Sequence, residues 1–343
     1  MGLTDRQKLI LTLIIHEHIL TAQPVGSKSL VNKYNLAMSS ATVRNEMAAL
    51  TEYQLLRQPH TSAGRVPTEE GYRFFVGNLV QKSTLPTNTR RTITHQFYQS
   101  RQDVEQWLKL AASVLANQSR GASLVTAPQA EKAIFKHLEL IATHGRQVLM
   151  VLVLMGGGIH QQFISLPEPV TQERLSEIAS QISNRCVKCD VDGISSLRGH
   201  FDTLGQDILD ILIAEMTLIG ESHTGEIYLD GMTNVLSEPE FSESDGARQA
   251  LHILEERSLL ENLLASTVMN ADVGGIQVLI GGEGTWEELR QCSIVLARYG
   301  DPNSLTGSIG VLGPIRMPYD RTISTVRFIA NVLSDLVSET LAV

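Results

Sequence analysis

The sequence predicts an α+β protein in which a helical N-terminal region precedes a longer region of strands and helices. The first eighty or so residues carry apolar side chains at helical spacing between Gly and Pro breaks. The region after them holds β-branched and leucine-rich runs both early and late, with amphipathic helices between. We therefore expect the early and late strands to share one antiparallel sheet that an insertion interrupts in sequence.

Composition limits the class of protein. A chain of 343 residues with 43% apolar residues suits a globular protein of about two or three domains. Its three cysteines are too few for a disulfide framework. No apolar run has the roughly 20 residues that a membrane span needs, and the apolar start lacks the cleavage pattern of a signal peptide. These features predict a soluble, cytoplasmic protein with no membrane partner.

The net charge of −9 conceals a contrast between the two regions. Residues 1–82 hold nine Lys/Arg and six Asp/Glu, so they carry +3 and the remainder carries −12. A basic head on an acidic body indicates that the head is the part that meets a polyanion. An excess of three charges is also common by chance, so charge alone leaves both interpretations open.

The first predicted element is a helix that Thr4 can cap and that runs to about Leu20. Its apolar positions outline a wide face that we expect to be buried: Leu9, Ile10, Leu13, Ile14 and Ile19. The segment TAQPVGSKSL then ends the helix, with Pro24 and Gly26 as breaks.

Two further helices are expected, over about 27–34 and from Ser39 or Ser40 to about Tyr53. A short helix, a tight turn and a longer capped helix form the helix-turn-helix arrangement. This arrangement predicts a DNA-binding head, with the longer helix as the one that contacts bases.

On a helical wheel, Val43, Met47 and Leu50 of this longer helix share one side and should face the core. The flanks and the opposite side carry donors and small residues, which permit contact with base edges. The predicted DNA contacts on this helix are Ser40, Thr42, Arg44 and Asn45. The alternative is an ordinary solvated helix face.

The segment QLLRQPHTSAGRVPT predicts a strand, a loop and a returning strand, with Gly64 near the tip and Pro67 at the close. A hairpin directly after the reading helix is typical of a winged helix, and its side chains can contact phosphates or the minor groove. No carboxylate occurs in the segment before Glu69. Its predicted DNA contacts are Arg57, His60, Thr61, Ser62 and Arg65.

Motifs that would indicate catalysis or a cofactor are weak. Cys186 and Cys189 form a C-x-x-C, but no second ligand pair stands at zinc spacing and the motif follows a helix rather than opening one. The Gly-rich segments match neither a dinucleotide fingerprint nor a phosphate loop. We expect no catalytic residues, metal or cofactor. An enzyme stays open only because the sheet could enclose a pocket.

Several blocks then resemble one family closely. The chain carries, in order, PVGSKSL, SSATVRNEMAALTE, QPHTSAGRVPT, GYRFFV, GEIYLDGMTNVLSEPEF, IQVLIGGE and GSIGVLGPIRMPYDRTISTV. These resemble the HrcA family of bacterial heat-inducible transcription repressors over nearly the whole chain. The sequence departs at Tyr53-Gln54, where a Glu-Gly pair is more usual.

The resemblance implies a repressor of chaperone operons that binds an inverted-repeat operator and is released on heat stress. It implies a winged helix over 1–82, a linker over 83–89, a GAF-like domain over 90–167 and 266–343, and a dimerisation domain inserted at about 168–265. Inverted repeats require two-fold symmetry, which favours a homodimer through this insertion over a monomer. The resemblance also implies that a GroE-type chaperonin assists folding. The alternative function is a ligand-sensing GAF-type regulator of another regulon.

Overall fold

The structure, a computed structural model, describes most of the chain. The described residues are 2–61, 63–78, 84–99, 103–129, 133–155, 158–221, 225–241, 252–268, 272–281, 285–286, 289–302 and 304–340. They form an α+β protein. Among the described residues, neighbouring strands whose residue-by-residue pairing is defined run antiparallel. None of the helices in these ranges is both long and apolar enough to cross a membrane.

The chain divides into two compact units. The first comprises Met1–Thr126, Ile227–Tyr299 and Ser308–Val332. The second comprises Ala127–Glu226, Gly300–Gly307 and Leu333–Val343.

The N-terminal part of the first unit contains four helices and a short strand pair within its described residues. These are α1 (Asp5–Thr21), α2 (Ser27–Tyr34), α3 (Ser40–Glu52), β1 (Leu56–Arg57), β2 (Val66–Pro67) and α4 (Glu69–Asn78). The predicted Thr4 cap is confirmed: its Oγ1 accepts a hydrogen bond from the Gln7 backbone N–H, and Oε1 of Gln7 accepts one from the Thr4 N–H. This reciprocal pair is a capping box.

The helix faces confirm one prediction and correct another. Val43, Met47 and Leu50 of α3 are buried, as the wheel predicted. In α1, however, Leu9 is 44% exposed, while Leu11 and Ile15 are fully buried. The run LILTLII is apolar on more than one side, so the packing of α3 and α4 against α1 decides which side is buried.

A five-stranded sheet forms the rest of the first unit, in the order β7-β3-β10-β9-β8. Its strands are β3 (Ala122–Thr126), β7 (Ile227–Asp230), β8 (Ile276–Ile280), β9 (Cys292–Gly300) and β10 (Thr306–Pro314). The helices in this part of the sequence are α5 (Thr87–Gln99), α6 (Val104–Ser119), α10 (Met232–Leu236), α11 (Arg257–Thr267) and α12 (Tyr319–Thr340).

The second unit is a three-stranded meander with helices on one face. Its elements are β4 (Phe135–Ala142), β5 (Gln147–Leu154), β6 (Ile159–Ser165), α7 (Gln172–Cys186), α8 (Val191–Leu197) and α9 (Thr203–Glu221). Met150 and Leu152 of β5 share a buried cluster with Ile178 and Ile182 of α7. One sheet face is thereby covered by the unit's own helices.

One expectation about the body is corrected. The meander does not share a sheet with the late strands: within the described residues its three strands pair only with one another, and its buried face packs on α7 and α9. The expected inserted domain at 168–265 stays a prediction; the compact second unit has Ala127–Glu226 as its main segment. Residues after this segment return to the first unit because β7 pairs with β3, with Leu124 opposite Leu229.

Candidate nucleic-acid interface

The third helix begins with a side-chain cap. Oγ of Ser39 accepts a hydrogen bond from the backbone N–H of Thr42 at 3.1 Å and lies 2.9 Å from the Thr42 hydroxyl oxygen. Of the two capping candidates, Ser39 is therefore the cap, and Ser40 is the first residue of the helix. Both Ser40 and Thr42 are half-buried, so they border the exposed side of α3.

Arg44 and Asn45 are the two long polar side chains at the centre of that exposed side. Within the described residues neither forms a hydrogen bond or an ion pair. Ala41 and Ala48 are exposed beside them and leave room for another surface to approach closely. An Arg and an Asn without internal partners can each form a bidentate pair with a base edge.

Glu46, the acidic residue next to Arg44 and Asn45, forms an ion pair with α1. Its side chain is 20% exposed, and its carboxylate lies 3.5 Å from the guanidinium of Arg6. This ion pair reduces the negative potential beside Arg44 and Asn45, which favours an anionic partner there.

The arm, residues 55–68, follows α3. Its base is the β1–β2 pair, in which Arg57 lies opposite Val66. Arg65 also exchanges two backbone hydrogen bonds with Val25, at 2.8 and 2.9 Å. In addition, Nε of Arg65 donates to Oγ1 of Thr51 at 3.1 Å, which joins the arm to α3. The predicted contact Arg65 is thus a half-buried residue that holds the arm in place.

The tip of the arm is organised by a residue that sequence analysis missed. Nε2 of Gln58 donates to the carbonyl oxygens of Thr61 at 2.9 Å and Ala63 at 3.1 Å. Arg57, His60 and Thr61 are exposed around it. The predicted contact Ser62 lies outside the described residues. A glutamine before a proline carries no sequence signal for this role.

Gln54 follows α3 at the point where the sequence departs from the family pattern. Its φ is +61°, in the left-handed region where glycine is the usual residue. Its carbonyl accepts a hydrogen bond from Oγ1 of Thr68 at 2.6 Å, and the same oxygen of Thr68 accepts from the Gly71 N–H at 3.0 Å. The turn expected at Tyr53-Gln54 therefore forms, with the strained backbone held by the start of α4.

An arginine beyond β10 connects the head to the five-stranded sheet. Arg316 donates to the carboxylates of Glu238 and Glu240, and its Nη1 donates to the Ile19 carbonyl near the end of α1 at 3.1 Å. Its side chain is 10% exposed. We name these four groups the Arg316 junction. A second link runs from Nη2 of Arg73 in α4 to the Ile280 carbonyl at 2.8 Å.

A cavity of about 630 Å³ lies between the head and this junction. It is lined by Gln54, by the arm residue Arg57, and by Glu240 and Arg316. His18 also lines it, with Nδ1 2.7 Å from the Tyr72 hydroxyl. Burial, aided by the positive charges of Arg316 and Arg57, lowers the pKa of His18 from its usual 6.5 to about 4.

Acidification is expected to destabilise the protein through His18. The unfolded chain protonates His18 near pH 6.5 and the folded chain only near pH 4. Stability that depends on the neutral ring is therefore complete above pH 6.5 and is lost as the pH falls toward 4, by up to about 1.4 kcal/mol per pH unit. Denaturant unfolding from pH 7 to 4 measures this slope, which His18→Asn should flatten. An unchanged slope in that variant would contradict the assignment.

Glu17 acts in the same direction at lower pH. Hydrogen bonds from Nζ of Lys33, at 2.9 Å, and from the Tyr34 hydroxyl, at 2.6 Å, hold the pKa of Glu17 below its usual 4.5. The stability that this carboxylate supplies is present above pH 4.5 and is lost below it. Because Glu17 lies in α1 and its partners lie in α2, this network fixes the first two helices of the head.

The C-x-x-C does not form a reactive site in the described structure. Cys186 is buried, and burial raises the pKa of its thiol to about 11. A thiol with such a pKa is protonated and weakly reactive at neutral pH. Among the described residues no group of three His, Cys, Asp or Glu side chains is placed to hold a metal ion.

Comparisons with known proteins agree with one family. The family model described as the HrcA protein C terminal domain matches residues 105–323. A curated protein named heat-inducible transcription repressor HrcA, from Roseiflexus castenholzii, is 45% identical over 98% of this chain and 95% of its own length. The protein of the same name from Herpetosiphon aurantiacus is 43% identical over 99% of this chain and 96% of its own.

A more distant relative and a solved structure extend the likeness. The protein of the same name from Pelotomaculum thermopropionicum is 35% identical over 98% of this chain and 97% of its own length. A crystal structure at 2.2 Å resolution of a protein described as hypothetical covers 99% of this chain and 100% of its own, with a TM-score of 0.63 and 26% identity. The similarity therefore extends over both compact units.

Proposed function

Because the chain belongs to the HrcA family of heat-inducible transcription repressors, we propose that residues 1–82 are a winged helix-turn-helix head that binds operator DNA. As a member of that family, the protein is a transcription repressor of heat-shock genes and not an enzyme. In the proposed head, α3 reads bases in the major groove and the arm contacts phosphates or the adjoining minor groove.

The observation that carries this proposal is the unpartnered pair Arg44 and Asn45 on α3. An exposed arginine contributes little to the stability of a fold, and Arg44 forms no hydrogen bond or ion pair within the described residues. Its guanidinium fits the acceptor pair of guanine, and the Asn45 amide fits adenine. Arg57, His60 and Thr61 on the arm add donors suited to phosphate oxygens.

Arg44→Ala and Asn45→Ala are each expected to reduce the preference for operator over random DNA by about 1–3 kcal/mol, or roughly 5- to 150-fold. Arg57→Ala should instead weaken binding to both DNAs alike and lower the salt slope by about 0.9, because it removes one phosphate contact. The probe is the segment upstream of the organism's chaperone operons that the protein protects from nuclease. If both α3 variants keep the preference, α3 is not the reading helix.

We further propose that the protein acts as a homodimer on an inverted repeat. The outer face of the three-stranded sheet supports a self-association surface, because Ile141, Leu149 and Phe163 lie side by side across the strands. Ile159 is 63% and Phe163 65% exposed there. Exposed apolar residues in one row mark an association surface more often than isolated ones do.

Phe163→Asp is expected to raise the dimer dissociation constant at least tenfold, because it places like charges on both partners of a symmetric interface. Gln162→Glu on the same strand is the matched control, since Gln162 lies opposite the buried Met150 and therefore on the other face. Sedimentation at micromolar concentration separates the two outcomes. A dimer that tolerates Phe163→Asp would place the interface elsewhere.

We propose that the protein releases operator DNA on heating because it loses its native structure. We also propose that it acts in the cytoplasm, where a GroE-type chaperonin assists its folding. The buried, protonated Cys186 argues against a redox trigger. Globular proteins have a net stability of only about 5–15 kcal/mol, so mild heating reduces the active fraction. The second candidate, a ligand-sensing GAF-type regulator, is favoured only by the cavity beside the Arg316 junction.

A further inference from the structure

The first helix after the head differs in charge from the rest of the body. Residues 84–99 contain Arg90, Arg91 and His95 and no carboxylate, in a region that carries −12 beyond residue 82. Ile93 and Phe97 bury one side of α5. The remaining side chains of the helix are mostly exposed Thr, Asn, Gln and Tyr. A cationic, donor-rich face on an acidic body requires an explanation other than general solubility.

This face borders a groove of about 630 Å³ between α5 and Phe328 of α12. Its lining residues supply guanidinium, hydroxyl, imidazole and aromatic groups and include no acid. Nε of Arg90 is buried there without a hydrogen-bond partner in the described structure. Arg91 and His95 are exposed and likewise have no partner among the described residues. The exposed donors of Arg91 and His95 and the acid-free lining suit the groove to an anionic occupant.

We propose that the α5 face is a second DNA-contacting surface, which binds backbone phosphates of the duplex that flanks the operator. Arg, Thr, Asn, Gln and Tyr are the side chains that bind phosphate and sugar oxygens without reading sequence. This inference rests on the proposed function, since the same protein must hold the operator through α3.

The path of the chain limits where such a contact falls. Only nine peptide steps separate Asn78 at the end of α4 from Thr87 at the start of α5. An extended chain of that length spans about 30 Å. One turn of B-DNA is about 34 Å, so α5 begins within about one helical turn of the head. Phosphates that flank the operator, rather than those of a distant site, are therefore the anions within reach of α5.

The test compares two duplexes that share the nuclease-protected segment and differ in their flanks, about 2 or 12 base pairs on each side. Wild-type protein is expected to bind the long duplex about tenfold more tightly and with a steeper salt slope. Arg90→Gln/Arg91→Gln should abolish this difference and lower the slope on the long duplex by about 1.8, with short-duplex affinity within twofold. Lys136→Gln/Lys188→Gln removes two exposed charges of the second unit and is the matched control.

Because Arg90 is half-buried, Arg91→Glu serves as a second variant that changes only an exposed side chain. It should reverse the flank advantage and leave the unfolding midpoint unchanged. No flank advantage in wild type, or an equal loss on both duplexes, would overturn the inference. Polyglutamate binding that is lost in Arg91→Glu without a flank effect would assign the groove to an acidic peptide instead. Failure of wild type to distinguish the protected segment from random DNA would reject the proposed function itself.

Discussion

Gly64→Ala is expected to displace the arm and to reduce DNA affinity by at least tenfold. A Cβ at this position would lie 2.3 Å from the Val25 carbonyl oxygen and 2.4 Å from its carbon. Both contacts are with backbone, so relief requires breaking the two hydrogen bonds between Val25 and Arg65. Their loss costs about 1–3 kcal/mol, and the arm then loses its attachment beside α3.

Gly77→Ala is the control for this substitution. Gly77 is in α4, and a Cβ there meets nothing within 4 Å. Alanine in a helix should stabilise the head by about 0.5–1 kcal/mol relative to glycine. Denaturant unfolding and binding to the protected DNA segment measure both variants. If Gly64→Ala binds DNA as wild type does, the contact between Val25 and the arm is not needed for the interface.

Arg316→Ala should lower the stability of the first unit by about 3 kcal/mol. The substitution removes the guanidinium that donates to the carboxylates of Glu238 and Glu240 and to the Ile19 carbonyl, and both carboxylates are half-buried. For a unit of this size, such a loss lowers the unfolding midpoint by about 6–12 °C. If heat releases the operator through loss of native structure, the temperature of half-release should fall by a similar amount.

Arg321→Ala provides the comparison for the junction. Arg321 is exposed and donates one hydrogen bond, to Oε1 of Gln118 at 2.9 Å, so its loss should cost less than about 0.5 kcal/mol. Calorimetry and DNA binding on a temperature ramp report the two midpoints. If Arg316→Ala lowers the unfolding midpoint but leaves the release temperature unchanged, release of DNA does not depend on the Arg316 junction.

Local features of the head were predictable because they depend on near neighbours. The Thr4 cap depends on Gln7, three residues away, and the buried side of α3 follows from the spacing of Val43, Met47 and Leu50. The buried side of α1 was not predictable in the same way. Its apolar run surrounds the helix, so only the packing of α3 and α4 selects Leu11 over Leu9.

Features that depend on distant partners were missed. Arg316 reaches Ile19 across 297 residues, and neither sequence neighbourhood indicates the contact. The meander was assigned to the wrong sheet for a related reason. Alternation in β5 shows that one face is buried, but it does not show which strands pair at the edges of its sheet. Arg65, which stays a predicted DNA contact, also bonds to Val25 and Thr51, and these bonds depend on the folded arm.

Strand β3 joins β7 and β10 only after long stretches of chain have intervened. Ser123 and Asp230 are 107 residues apart, and Thr126 and Ser308 are 182 apart. Contacts of such high sequence separation form slowly, since loop closure precedes any gain from pairing. At typical translation rates, roughly 10–40 s pass between synthesis of β3 and of β10. For roughly 5–20 s, until β7 has been synthesised, Leu124 has neither neighbouring strand, and until β10 follows it lacks one of them. Each nascent molecule therefore exposes an aggregation-prone edge that a chaperone can bind.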